Sequence, residues 1–171
     1  LKSIKENKKN IITILNCLEK LKNTTLIFTM PGADSNYKLI VREIRNFVKK
    51  NKNSYFFKSL GDELYYSVCN NVDIMLGNSS SGIIEMPSFK KGTINIGDRQ
   101  KGRVKAKSVL DVEFNEKKIN ARINYAYSKK FSKILKNVTN PYDNGKSSDK
   151  IIKILRGIKF KRILKKKFFD Y

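Results

Sequence analysis

Short apolar runs alternate with amphipathic segments along most of the chain. Ser3 and Glu6 have the spacing of a capping box, and the segment behind them places apolar side chains at helical intervals. This pattern predicts a first helix. The next apolar run, residues 25–30, is rich in β-branched and aromatic side chains and ends at Pro31 and Gly32. Such a run, closed by a turn signal, is typical of a buried strand.

The same alternation continues towards residue 155. Asp62 can cap a third helix, and helix-like segments lie between most of the apolar runs. Strands joined by helices through short turns predict an α/β fold with a doubly wound, Rossmann-like parallel sheet. The further predicted strands are residues 55–57, 72–76, 93–96 and 109–112.

A turn rich in small residues follows the predicted strand 72–76. Residues 77–85 read Gly-Asn-Ser-Ser-Ser-Gly-Ile-Ile-Glu. A strand that leads into such a turn at a helix start presents free N–H groups and hydroxyls to an anion, most often a phosphate. We expect Glu85 about one turn inside that helix, where its carboxylate can accept two hydrogen bonds from a ribose diol. Taken alone, the turn also fits an ordinary strand-to-helix connection with Ser as N-cap.

A cationic loop follows the predicted strand 93–96. Gly97 and Gly102 bracket it, and it carries Arg99, Lys101 and Arg103. In open α/β sheets, ligands bind outside the carboxyl ends of the strands. The cationic loop and the serine turn are therefore expected to face one crevice.

Residues 77–103 together resemble the carboxy-terminal half of the hydrolysing UDP-N-acetylglucosamine 2-epimerases, which begin sialic-acid and related nonulosonic-acid synthesis. The resemblance runs from about Phe28 to about Leu155. It implies the second half of a two-domain, GT-B-type enzyme that binds a UDP-sugar. It implies no metal and no nicotinamide cofactor.

The resemblance also assigns roles to individual residues. It places the ribose hydroxyls at Glu85, and the diphosphate at the turn of Ser79, Ser80 and Gly82. The position of Arg99 lies beside the nucleotide and the sugar, where we expect a catalytic role. Two further loops are implied: one with Ser59 and Gly61, bordering the uracil, and one with Asp34, near the sugar. The family often has Asn where this chain has Gly32, so a side-chain contact from that position is not carried over to this chain.

For such enzymes the reaction is elimination of UDP across C1–C2 to a glycal, followed by hydration to the 2-epimeric free sugar. UDP-GlcNAc and UDP-4-amino-HexNAc both remain open as substrates. A UDP-sugar glycosyltransferase of GT-B architecture is an alternative, since those enzymes often carry a Glu on the corresponding helix. The loop 97–103 favours the epimerase. A non-catalytic basic binding module is the third hypothesis.

Charge and composition narrow these choices. The chain has 37 Lys and Arg against 15 Asp and Glu, a net charge of +22, which raises the question of nucleic-acid binding. The basic residues are dispersed and no nucleic-acid-binding motif accompanies them, so no specific nucleic-acid partner is expected. The chain has no His, which excludes histidine acid–base chemistry within it and argues against a zinc site. Cys17 and Cys69 are expected to be buried free thiols in a reducing cytoplasm, and no membrane span or signal peptide is seen.

The predicted organisation is a UDP-binding domain, 1–157, followed by a basic tail, 158–171. The segment 140–148 begins Asn-Pro-Tyr and fits either a simple connector or the family's lead-in to its last helix. The tail fits a solvated basic helix or a surface for membranes or polyanions. Because the first element is a helix, we expect an amino-terminally truncated domain that lacks the family's upstream histidine strand and amino-terminal domain. The full-length protein is expected to be a homodimer.

Overall fold

The computed structural model describes residues 3–32, 36–143 and 145–158. By compactness the chain divides into two units, 1–141 and 142–171. The first unit contains, in chain order, α1 (Ile4–Glu19), β1 (Leu26–Thr29), α2 (Tyr37–Lys50), β2 (Ser54–Phe57), α3 (Gly61–Asn71), β3 (Ile74–Gly77), α4 (Ser81–Ile84), a 3₁₀ helix (Met86–Phe89), β4 (Gly92–Ile96), β5 (Val109–Val112), α5 (Glu116–Ala126) and α6 (Lys129–Lys136).

The described part of the second unit contains α7 (Ser147–Gly157). The division between a domain at 1–157 and a tail at 158–171 stays a prediction, because residues 159–171 lie outside the described residues. Within the described ranges, no helix is both long enough and apolar enough to cross a bilayer.

All paired strands are parallel, as the sequence predicts. β1 pairs with β2, and β4 lies between β3 and β5. The strands thus form two hydrogen-bonded groups that share a core. Helix α1 connects them, because its Leu15 and Leu18 pack in one cluster with Phe28 of β1 and Leu76 of β3.

Strand β4 is buried along its whole length and has helices on both faces. Ile94 and Ile96 point to one face and pack with Ile119 and Ile123 of α5. Thr93 points to the other face, where it contacts the backbone of α4, because successive side chains of a strand alternate between faces. This arrangement confirms the predicted α/β fold with helices on either side of a parallel sheet.

Two predicted helix caps have different outcomes. The predicted cap of α1 is confirmed, since the Glu6 backbone N–H donates to Ser3 Oγ over 3.2 Å. The predicted cap at Asp62 is wrong, because α3 starts at Gly61 with Leu60 as its N-cap. Gly61 has φ +64°, a left-handed value that glycine adopts without a Cβ clash, and it turns the chain into the helix before Asp62. Asp62 instead lies in the first turn, where a carboxylate suits the helix dipole.

The two thiols are placed as predicted. Cys17 and Cys69 are both free and buried. Burial raises the pKa of each thiol above its ordinary value, and nearby Glu116 acts in the same direction on Cys17. Both side chains therefore remain protonated at neutral pH and act as small apolar groups in the core.

Candidate functional site

The serine turn lies directly behind β3, but the helix it opens is a single turn. Ser80 is the N-cap of α4, and its side chain makes no cap hydrogen bond. The sequence predicted that Glu85 lies about one turn inside a longer helix, and this prediction is wrong. It is the C-cap of α4 and the N-cap of the 3₁₀ helix. Pro87 explains the change, because a proline in a helix interior has no N–H to donate and clashes with the carbonyl four residues earlier.

This shortening changes the electrostatics of the turn. A helix of one turn has a small dipole, so an anion here would depend on individual donors rather than on the helix. The Ser81 backbone N–H donates to Ser79 Oγ over 3.3 Å. Accepting that bond leaves the Ser79 hydroxyl proton available for another acceptor.

Glu85 is connected by hydrogen bonds to two hydroxyl groups. The Ser81 hydroxyl donates to Glu85 Oε2, and the Tyr65 hydroxyl is hydrogen-bonded to Ser81 Oγ. Burial is the main cause that raises the pKa of Tyr65 to about 12. Tyr65 therefore keeps its proton throughout the physiological pH range.

The cationic loop contacts the serine turn through its glutamine. Gln100 is 3% exposed although the loop around it is polar, and its Nε2 donates to the Asn78 backbone oxygen over 2.8 Å. This bond brings the loop that carries Arg99 beside the turn of Ser79 and Ser80. The two loops that the sequence predicted to face one crevice are thus in direct contact.

Gly82 fixes α4 against β4 at close range. A Cβ built on Gly82 would lie 2.5 Å from Thr93 Cγ2, which is closer than real atoms approach. Thr93 Oγ1 donates to the Gly82 backbone oxygen over 2.7 Å. The glycine therefore serves close packing of the turn on the sheet, and only its backbone can contact a ligand.

Asn140 forms hydrogen bonds with residues on both sides of Glu85. The Asn140 side-chain amide donates to the Ile84 backbone oxygen and to Ser88 Oγ, each over 2.7 Å. These two bonds clamp the junction at Glu85 between α4 and the 3₁₀ helix. Asn140 is the first residue of the Asn-Pro-Tyr segment, so this part of the segment does more than connect two helices.

The predicted uracil loop joins the site through α3. The Gly61 backbone N–H donates to Ser59 Oγ over 3.2 Å, which closes a tight turn ahead of the helix. Tyr65 then reaches Ser81 from the second turn of the same helix. The uracil contacts of Ser59 and Gly61 stay predictions, and Asp34 lies outside the described residues.

Sequence reasoning missed four residues of this constellation: Tyr65, Ser81, Gln100 and Asn140. The sequence carries a signal for only one of them, since Ser81 and Glu85 are four residues apart on a helical segment and can meet. The partners of Gln100 and Asn140 are 22 and 56 residues away along the chain. No local sequence pattern predicts pairs that are so far apart along the chain.

A second polar cluster lies at β5 rather than at the serine turn. Asn95 Nδ2 donates to Asp111 Oδ1 over 2.6 Å, and Lys105 Nζ lies 2.8 Å from Asp111 Oδ2. Burial alone would raise the pKa of Asp111, but the hydrogen bonds from Lys105 and Asn95 and the charge of Lys105 hold it below its ordinary value. An open cavity of about 820 Å³ adjoins this cluster, between β5 and α5.

Metal ligands are not grouped in the described ranges. Within them, no set of three His, Cys, Asp or Glu side chains is placed to hold a metal ion. The donors assembled around Glu85 are hydroxyls, amides and backbone groups. Such donors suit a ligand with hydroxyls and phosphates.

Comparisons with known proteins identify a family for this chain. A family model described as UDP-N-acetylglucosamine 2-epimerase matches residues 2–156. The GDP/UDP-N,N'-diacetylbacillosamine 2-epimerase (hydrolyzing) of Campylobacter jejuni is 44% identical over 170 residues, which are 98% of this chain and 44% of that protein. The polysialic acid biosynthesis protein P7 of Escherichia coli is 37% identical over 92% of this chain and 40% of its own length. The chain thus spans less than half the length of these curated relatives.

A solved structure shares the fold. The chain superposes on UDP-GlcNAc 2-epimerase of Methanocaldococcus jannaschii, crystallised in complex with UDP-GlcNAc and UDP, with a TM-score of 0.69 at 22% identity. The match covers 90% of this chain and 42% of that one. At this level of identity the likeness establishes the Rossmann-like fold.

Proposed function

The chain belongs to the UDP-N-acetylglucosamine 2-epimerase family, and we propose that it is the nucleotide-binding, carboxy-terminal half of a hydrolysing UDP-HexNAc 2-epimerase. One observation carries the proposal. The Glu85 carboxylate accepts a hydrogen bond from Ser81, which follows Ser79 and Ser80 in the turn behind β3. This hydrogen bond supports an acceptor for a ribose diol at Glu85, with the serine hydroxyls of the same turn as donors for a diphosphate.

The ligand contacts follow from the chemistry of these groups. Glu85 accepts hydrogen bonds from the ribose hydroxyls, and Ser79 and Ser80 donate to the diphosphate. The turn of Ser59 and Gly61 borders the uracil. Asp34 faces the sugar. Gly82 lets the turn approach the sheet and so sets the position of all three serines.

The reaction breaks two bonds of the substrate. A base removes the proton from C2 of the sugar, the electrons form the C1–C2 double bond, and the C1–O bond breaks to release UDP. Water then adds across the glycal and gives the 2-epimeric free sugar. Negative charge grows on the leaving diphosphate, so the Ser79 and Ser80 hydroxyls, the backbone N–H groups and the Arg99 guanidinium stabilise the transition state.

The acid–base groups are proposed to come from an amino-terminal domain in the same polypeptide. The curated relatives are more than twice as long as this chain, and the chain itself has no His. A second domain would also cover the sugar and exclude water, which the elimination step needs. The complete enzyme is proposed to be a cytoplasmic homodimer.

Nucleotide binding is the first test. Isothermal titration calorimetry of the chain with UDP, at moderate salt and with ATP as control, should show a preference for UDP. Glu85→Ala and Ser80→Ala should each weaken UDP binding by roughly 1.5–3 kcal/mol, the range for a lost charge-assisted hydrogen bond. Glu19→Ala is the matched control. It removes the same charge from the carboxyl end of α1. Because α1 runs antiparallel to the strand that follows it, this helix end lies at the amino ends of the strands, away from the proposed nucleotide site.

Equal affinity for UDP and ATP would reduce the interaction to attraction of anions by a chain of charge +22 and would favour the basic binding module.

Turnover is the second test. The chain alone should not convert UDP-GlcNAc, whereas a chimera with the amino-terminal half of the Campylobacter jejuni relative should release UDP and a free 2-epimeric sugar. The diacetylated UDP-sugar in that relative's name is the substrate to compare with UDP-GlcNAc. Transfer of the sugar to an acceptor without release of free sugar would support the glycosyltransferase instead. Full activity of residues 1–171 alone would contradict the two-domain mechanism.

A further inference from the structure

Two hydroxyl groups stand behind Glu85. Ser81 begins α4, and its hydroxyl donates to Glu85 Oε2 across the single turn of that helix. Tyr65 comes from the neighbouring helix α3, and its hydroxyl meets the same Ser81 Oγ. Tyr65 and Ser81 are partly buried, so neither hydroxyl is an ordinary surface group.

The direction of these two hydrogen bonds follows from a count of the hydroxyl protons. A serine hydroxyl has one proton and a tyrosine hydroxyl has one, while a carboxylate only accepts. Ser81 uses its proton on Glu85, so the proton between Ser81 and Tyr65 belongs to Tyr65. The hydrogen bonds therefore run from Tyr65 to Ser81 to Glu85.

We propose that Tyr65 and Ser81 position the Glu85 carboxylate for the two hydroxyls of a ribose. This inference rests on the proposed function. A carboxylate has about four acceptor positions, so one bond from Ser81 leaves enough for both hydroxyls of a cis-diol. The bond to Ser81 also fixes the rotation of a side chain that would otherwise lose its conformational freedom only when ligand binds.

The same count divides the work among the three serines. The proton of Ser81 is committed to Glu85, so Ser81 has none to donate to a phosphate. Among the residues that the structure describes, the Ser79 hydroxyl accepts from the Ser81 backbone N–H and donates to no partner, and the Ser80 side chain makes no cap bond. Ser79 and Ser80 are therefore the diphosphate donors, and Ser81 is a positioning residue for the ribose site.

A selectivity ratio separates positioning from a general structural role. The measurement is the ratio of the Kd for 2'-deoxy-UDP to the Kd for UDP, determined by calorimetry on the chain. The wild-type chain should prefer UDP, because only UDP supplies both ribose hydroxyls. Tyr65→Phe and Ser81→Ala should each lower the ratio by about three- to tenfold, the effect of one neutral hydrogen bond, with a smaller loss of affinity for 2'-deoxy-UDP, which keeps only the 3'-hydroxyl.

Three controls accompany the ratio. Tyr66→Phe removes a hydroxyl from the adjacent, 46% exposed tyrosine of α3 and should leave the ratio unchanged. Ser81→Thr keeps the hydroxyl and should retain most of the wild-type ratio. In a Glu85→Ala background, Tyr65→Phe should have no further effect on UDP affinity, because the group that it positions is gone.

The outcomes distinguish this inference from the function on which it rests. A wild-type chain without a preference for UDP over 2'-deoxy-UDP would overturn both this inference and the ribose contact of Glu85 in the proposed function. A wild-type chain that prefers UDP and needs Glu85, with a ratio unaffected by Tyr65→Phe and Ser81→Ala, would overturn the positioning role alone. Equal losses of UDP and 2'-deoxy-UDP affinity in both variants would also overturn it, since that pattern belongs to a disturbed fold.

Discussion

The side-chain amide of Gln100 donates to the backbone oxygen of Asn78, with 2.8 Å between nitrogen and oxygen. This single bond joins the loop behind β4 to the turn behind β3. Arg99 precedes Gln100, and Ser79 follows Asn78, so the bond sets the distance between the proposed catalytic cation and the proposed phosphate donors. A buried amide is well suited to this task, since breaking its bond would leave a polar group unsatisfied in the interior.

Arg99→Ala should depress catalysis in the chimeric enzyme described above. Loss of one donor to a developing charge lowers kcat by about 10²–10³-fold in comparable sites. Lys101→Ala is the matched control, because it removes a cation from the same loop and should have a much smaller effect. UDP release under saturating substrate measures both. An Arg99→Ala enzyme with unchanged kcat would remove Arg99 from the mechanism.

Gly82→Ala should destabilise the first unit by about 1–3 kcal/mol, the usual cost of forcing an extra methyl group into a packed site. The new Cβ would lie 2.5 Å from Thr93 Cγ2, so α4 or β4 has to shift. The free energy of unfolding from urea denaturation is the measurement. Gly157→Ala is the control, since a Cβ there meets no atom within 4 Å. Equal unfolding midpoints for Gly82→Ala and wild type would show that the turn can yield without cost.

Asp111 should add an acid-dependent term to stability. Its pKa in the folded chain is lowered, so its stabilising contribution is present above the unfolded-state pKa of about 4 and is lost as pH falls through the lower folded value. The difference in unfolding free energy between wild type and Asp111→Asn should therefore shrink below about pH 4. Lys105→Met, which removes the main donor to Asp111, should reproduce this behaviour. A difference that stays constant from pH 7 to pH 2 would contradict it.

Deletion of residues 159–171 should separate specific from non-specific binding. This stretch is rich in Lys and Arg, and such cations attract any polyanion in a salt-dependent way. The truncated chain should elute from heparin at lower salt and keep its affinity for UDP. A deletion that abolishes UDP binding would place part of the nucleotide site in this stretch.

The sequence predicted the local elements of the fold well because their signals are local. Apolar runs with turn residues at their ends identified the strands β1 to β5, and Ser3 identified the start of α1. Pro87 is also a local signal in the sequence, since a proline is disfavoured in a helix interior. Glu85 lies behind the serine turn, as the sequence predicts, but at the junction of two short helices rather than inside one.

The surroundings of Glu85 could not be predicted, because they are tertiary. Tyr65 comes from the preceding helix, 16 residues before Ser81, and Asn140 lies more than 50 residues beyond it. Each contact depends on how α3, α4 and the Asn-Pro-Tyr segment pack together. A polar residue in a helix or loop carries no mark of the partner that packing will bring to it.

The division of the strands into two groups has a consequence for how the chain opens. Within the described residues, β1 pairs only with β2, and β3 pairs only with β4. The second edge of β1 and the second edge of β3 therefore have no ladder of hydrogen bonds there. A two-stranded pair is marginally stable in water, and Ile27 of β1 remains 38% exposed. The β1–β2 pair thus relies on α1 and α2 for its order and should exchange its amide hydrogens before the β3–β4–β5 group does. Unpaired strand edges also recruit strands from other molecules, so this pair is where self-association of the chain should begin.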